Sequence, residues 1–140
     1  MKREGKVFPI GTSIFWSQTA TGIFWIGAGL IGMFDNIVCN ILNVLFLLAG
    51  IAALAKSINI ARIGDDGDEM AEYNYTKAKA NAGNTLYLIL CVASLVSTAS
   101  FDLMQDLSID WPRFISHLLF ILIGAYNLLT GLFFRKLEAE

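Results

Sequence analysis

Few side chains in this 140-residue chain are placed to do chemistry, and their spacing decides which chemistry that is. The densest group is acidic: Asp65, Asp66 and Asp68 surround Gly67, and Glu69 follows. Carboxylates around a turn glycine are calcium-ligand chemistry, but calcium loops set their oxygens at alternate positions and close with a distal bidentate glutamate. Here the aspartates are nearly contiguous and no glutamate stands at the closing distance. The reading is therefore a solvated turn and helix cap, with no metal site. The sole histidine, His117, follows Arg113 by four residues and has no second ligand on its helical face. It reads as a packed histidine near the membrane interface; its sharper reading is a pH-sensitive contact.

Nucleophilic and redox chemistry find no support. The two cysteines, Cys39 and Cys91, form neither a CxxC nor another ligand spacing. In the topology derived below they differ in depth by more than the ~7 Å that a disulfide tolerates, so both are expected as free thiols. There is no Ser-His-Asp set, HExxH or phosphate loop. The expectation is a protein that is not an enzyme and carries no cofactor.

The uncharged polar residues do form patterns. Asn36, Asn40 and Asn43 fall at i, i+4 and i+7. Ser94, Ser97 and Thr98 form a second set, and His117, Gly124, Asn127 and Gly131 a third. Ser17, Gln18 and Thr21 precede Gly27, Ala28, Gly29 and Gly32. Small residues let helices approach closely, and amides hydrogen-bond between them. Asn40, Asn43, His117 and Asn127 are thus candidate intramembrane polar contacts. They serve either as glue between helices or, in the sharper reading, as the lining of a narrow path along Asn40, Asn43 and Asn127. Asn40 and Asn43 are expected in one half of the membrane and Asn127 in the other, which favours glue.

The elements that carry these residues follow from composition. The chain is 56% hydrophobic and 16% charged, with mean hydropathy +0.60; soluble domains carry about 25% charged residues. Four apolar segments each approach the ~20 residues needed to cross a bilayer. Backbone groups find no water there, so the spans are predicted helical. The expected helices are 10–34, 37–63, 69–101 and 112–135. The start, M-K-R-E-G-K, leads into apolar sequence with no small-x-small cleavage signal, so the first span reads as uncleaved. The fold class is all-α: a four-transmembrane-helix bundle in one domain, 1–140, with two helical hairpins joined by a polar loop and a helix extension.

Nine of the ten Lys and Arg residues fall on one side of these spans, with only Arg113 opposite. The positive-inside rule then puts that side, both termini included, in the cytoplasm of a cell-membrane protein. There is no basic stripe with interleaved aromatics, so no nucleic-acid partner is expected.

The middle segment, 62–84, is the only long hydrophilic stretch. Residues 64–67 read as a turn and Asp68 as a helix N-cap. Glu69 and Glu72 favour the positive end of the following helix. Met70, Tyr73, Lys77 and Ala80 form a mildly amphipathic stripe, and the helix is expected to run into the third span with a bend at Gly83. Asp68, Glu69, Glu72, Tyr73, Lys77 and Lys79 make up a candidate partner surface facing the cytoplasm.

Asp68-Glu69, Glu72-Tyr73 and Lys77-Ala78, just before a span, resemble the D-E-x-x-E…K-A signature of a broad group of small, uncharacterised bacterial and archaeal multi-pass membrane proteins. The resemblance implies a prokaryotic inner-membrane protein in an accessory or regulatory role, and no activity or cofactor. The expected function is an interaction, regulatory or accessory subunit. Its partners are the lipid bilayer and either a second copy or another membrane or cytoplasmic protein. The alternatives are a small oligomeric transporter or channel, weakened by the absence of charge deep in the spans, and a self-protection protein against a membrane-active peptide.

Overall fold

A computed structural model describes residues 10–34, 36–63, 69–99 and 110–139, with the side chains of 10, 57–63 and 95–99 outside the description. Among the described residues the chain forms four α-helices: α1 (Ile10–Gly32), α2 (Ile37–Ile63), α3 (Glu69–Ala99) and α4 (Trp111–Ala139). Three segments, Gly11–Gly32, Ile37–Lys56 and Trp111–Ala139, are long and apolar enough to cross a membrane. Part of the expected third span lies outside the described side chains.

The helix ends follow local chemistry. Past Gly32 the α1 ladder tightens: the N–H groups of Met33 and Phe34 reach the carbonyls of Leu30 and Ile31 at 3.3 and 3.1 Å. Such i→i+3 bonds satisfy end carbonyls in a tight last turn. The helix therefore stops two residues short of the expected 34. Asn36 then opens α2, its Oδ1 accepting the Val38 N–H at 3.0 Å, which is N-cap chemistry. Asp110 does the same for α4, accepting the Arg113 N–H at 3.3 Å. At its other end α4 runs to Ala139, beyond the expected 135, and the added turn brings Glu138 to Asn74 of α3. α3 is continuous through Gly83.

α1 and α4 are the central pair. Among the described residues α2 packs chiefly on α1 and α3 chiefly on α4, each flanking the central pair. The α1–α4 contact is backbone on backbone. A Cβ added at Gly22 would fall 2.7 Å from the Leu128 nitrogen and 2.8 Å from the Gly124 oxygen; one added at Gly124 would fall 2.6 Å from the Ile26 nitrogen. One heptad on, Gly29 meets the His117 carbonyl and Ile121 in the same way. The α1–α2 contact is ring on glycine instead: Phe46 lies over Gly27, and the Trp25 indole lies over Gly50. Trp25 and Phe120 then link α2's neighbour to α4, ring centroids 5.4 Å apart.

Burial is inverted relative to a water-soluble domain. The fully buried side chains are led by Phe134, Thr21 and Thr130. Ser17, Gln18, Asn43, Asn74 and Asn127 are buried as well, beside Ala28, Ala71, Ala78 and Ala82. The large apolar residues point outward, Ile37 at 76% and Leu48 at 59% exposure. The buried hydroxyls are satisfied locally: Thr21 Oγ1 and Thr130 Oγ1 each donate to a carbonyl one turn earlier at 2.8 Å. Such bonds to the carbonyl four residues back give a buried hydroxyl its partner within its own helix.

The first half of α3 presents one face to the bundle and the other outward. Its buried face is Ala71, Asn74, Ala78 and Ala82, whereas the expected amphipathic stripe of Met70, Tyr73, Lys77 and Ala80 is exposed. Alanines allow close approach to α4, and the larger side chains turn outward.

Candidate functional site

Two regions hold the residues singled out from sequence. At the end where α1 turns into α2, which we call the hairpin end, three helices converge on Gly32. The Asn43 amide (α2) and the His117 ring (α4) both lie against Gly32, where a Cβ would collide with each. Asn43 Nδ2 donates to the Ala28 carbonyl at 3.2 Å. Arg113 Nε and Nη2 donate to the carbonyls of Gly32 and Phe34 at 3.1 and 3.0 Å. A guanidinium on the last carbonyl of α1, at Gly32, and on that of Phe34 just past it complements the negative end of the helix dipole. His117 Nδ1 is buried without a hydrogen-bond partner, and the ring packs edge-on to Phe120 at 6.0 Å. Ser116, the adjacent hydroxyl, is exposed and donates to Arg113's carbonyl at 2.8 Å. It forms no pair with the imidazole that could act as nucleophile and base.

The four intramembrane candidates are therefore not one site. Asn43 and His117 come together. Asn127 is buried but donates to Ile123 of its own helix at 2.8 Å. Asn40 is exposed on α2, as is Asn36, whose role is the cap. Asn40, Asn43 and Asn127 do not line a common path. Ser94 is exposed, while the side chains of Ser97 and Thr98 lie outside the described residues.

At the opposite end, where α1 and α3 begin and α4 finishes, a chain of contacts ties three helices. Gln18 Nε2 donates to the Tyr75 hydroxyl at 2.7 Å. The Tyr75 ring stands edge-on to Phe134 at 6.1 Å and carries the Lys79 ammonium over its face at 4.1 Å. Asn74 Nδ2 donates to Glu138 Oε1 at 2.9 Å. Neither Gln18–Tyr75 nor Asn74–Glu138 is legible in the sequence; the nearest signal is that Asn74 shares a helical face with Ala71, Ala78 and Ala82 of α3.

Glu69, Glu72, Tyr73, Lys77 and Lys79 are all exposed on α3. Tyr73 is 63% and Met70 68% exposed. Lys77 Nζ stands 5.9 Å from the Tyr73 ring centroid. Lys79 differs from the others, because its stacking on Tyr75 draws it toward the α1–α4 side. The outward face is thus Glu69, Glu72, Tyr73 and Lys77 with Met70 and Ala80 beside them. Asp68 and the acidic turn at 64–67 lie outside the described residues. Among the described residues, no three His, Cys, Asp or Glu side chains gather where they could share a metal ion, and Cys39 and Cys91 are both free.

Comparison with protein families, curated proteins and solved structures found no match.

Proposed function

We propose that this chain is a small multi-pass membrane protein that works as an interaction or accessory subunit, with both termini in the cytoplasm and the exposed face of α3 as its docking surface. The observation that carries the membrane reading is the inverted burial: small and polar residues inside, Ile37, Leu48, Tyr87 and Leu88 outside. In water such an apolar exterior would aggregate; in lipid it is the solvated surface, and close packing of small residues holds the helices together. A four-helix membrane bundle with two hairpins is the arrangement this supports, and the distribution of Lys and Arg supports the orientation.

The docking reading rests on the one outward face that mixes charge with large side chains, Glu69, Met70, Tyr73 and Lys77. Tyrosine and methionine are enriched at protein interfaces. A transporter or channel is less well supported, because the central α1–α4 seam is closed by backbone contact at Gly22 and Gly124. The test is a photoreactive amino acid at position 73 or 77, irradiated in native membranes and read by mass spectrometry. A defined protein adduct, a second copy included, is expected at both positions and not at exposed lipid-side position 88. Adducts with lipid alone at 73 and 77 would contradict the docking surface.

A further inference from the structure

We propose that the groove between α1 and α2 at the end holding the N-terminus binds the headgroup of an anionic phospholipid. The inference rests on the membrane reading above. The groove encloses about 360 Å³ and is lined by Thr12, Ser13, Trp16, Ala20, Ala53 and Lys56. That volume falls within the ~300–1,000 Å³ range of ligand-sized sites. Its lining is graded. Ala20 and Ala53 leave a largely apolar cleft deeper between the helices, where the buried Ser17 hydroxyl is taken up by the Ile14 carbonyl of its own helix at 3.0 Å. Thr12, Ser13 and Lys56 stand at its outer mouth, and Trp16 is 63% exposed between the two zones.

The levels match across the antiparallel pair. Thr12 lies twenty residues before the end of α1 at Gly32, and Lys56 nineteen after the start of α2 at Ile37. At ~1.5 Å per residue both are about 30 Å from the hairpin, one hydrocarbon thickness away. Lys56 is exposed, and among the described residues neither its ammonium nor the hydroxyls of Thr12 and Ser13 has a hydrogen-bond or ion-pair partner. A cation and two hydroxyls at headgroup depth, over an apolar cleft, match a phosphodiester with its acyl chains below. Trp16 suits the same boundary, where indoles sit at headgroup level. The charge selects an anionic lipid over a zwitterionic one, whose own ammonium would meet Lys56.

Native mass spectrometry of the full chain in mild detergent tests this, with phosphatidylglycerol and phosphatidylcholine of identical acyl chains as probes. The wild-type chain is expected to retain phosphatidylglycerol preferentially. Lys56→Gln should lower its occupancy about fivefold, as one lysine near a lipid surface contributes about 1 kcal/mol, leaving phosphatidylcholine unchanged; Lys56→Arg should keep the preference. Thr12→Val, which leaves the charge in place, should weaken phosphatidylglycerol binding to a smaller degree. Equal retention of the two lipids, or an unchanged preference in Lys56→Gln, would overturn the site. Alkaline carbonate extraction separates the two levels. A chain retained in the membrane with no lipid preference contradicts the groove alone, and a chain released to the supernatant contradicts the membrane reading.

Discussion

Gly22 of α1 and Gly124 of α4 occupy each other's side-chain space: a Cβ on either would stand 2.7–2.8 Å from the other's carbonyl oxygen. Nothing flexible lies between them, so the two backbones set the spacing of the central pair. Gly22→Leu or Gly124→Leu should destabilise the chain by at least the ~1–3 kcal/mol typical of overpacking, because backbone cannot repack around the new atoms. Gly83 is the internal control. A Cβ there meets nothing within 4 Å, so Gly83→Ala should be neutral or stabilise by roughly 0.5–1 kcal/mol through helix propensity. Thermal unfolding in detergent, followed by circular dichroism, reads all three.

The two outer asparagines of α2 should separate cleanly. Asn43 is buried and bridges to Ala28 of α1, whereas Asn40 faces outward. Interhelical hydrogen bonds in membranes average ~0.6 kcal/mol and reach ~1.7 kcal/mol. Asn43→Leu is expected to cost more than that range, since the bulkier methyl groups that replace the amide also crowd Gly32. Asn40→Leu should change stability by less than about 0.5 kcal/mol. Equal losses in the two variants would contradict the placement of α2.

Sequence periodicity locates α2 and the start of α3 closely, because the Asn36 cap and the acidic first turn of Glu69 and Glu72 mark helix starts that depend only on neighbouring residues. It placed α4's end at 135, because Arg135-Lys136 looks like a membrane boundary while the bond that extends the helix, Asn74 to Glu138, joins residues 64 apart in sequence. The α3 stripe does not by itself say which of its faces is buried, for a related reason. Large side chains at helical spacing mark the buried face in water, but here alanines mark it. Gly22 was overlooked because it stands between Thr21 and Ile23, apart from the visible run of small residues at 27–32. Only the packing of α4 gives it a partner. Of the three candidate asparagines and one histidine, Asn43 and His117 share a location, a fact that belongs to the packing of α2 and α4 around Gly32 rather than to either helix's own pattern.

Arg113 closes the hairpin end by holding the last carbonyl of α1 at Gly32 and that of Phe34 just beyond it. Arg113→Gln removes the charge and shortens the reach. It should cost about 1–2 kcal/mol, the upper part of the range for a cation at a helix C-terminus. Amide hydrogen exchange would locate the loss: faster exchange is expected at 31–34, with α3 unchanged. Uniformly faster exchange along the chain would mean that Arg113 supports the whole fold and not that one helix end.

Gln18 and Tyr75 should be energetically coupled across the opposite end. Gln18→Leu and Tyr75→Phe each leave one polar group behind, and the double variant leaves neither. A double-mutant cycle is expected to return a coupling of about 0.5–2 kcal/mol. Additive losses would place the two side chains out of contact.

The most direct measurement of the central claim, a membrane bundle with both chain ends and the α3 face in the cytoplasm, is cysteine accessibility in intact cells. Cys39 and Cys91 are first replaced by alanine, and single cysteines are placed at Asp110 and Tyr73, both exposed. The account predicts that Asp110→Cys reacts with a membrane-impermeant maleimide in intact cells and that Tyr73→Cys reacts only after permeabilisation. Reaction of both in intact cells, or of Tyr73→Cys alone, would contradict it.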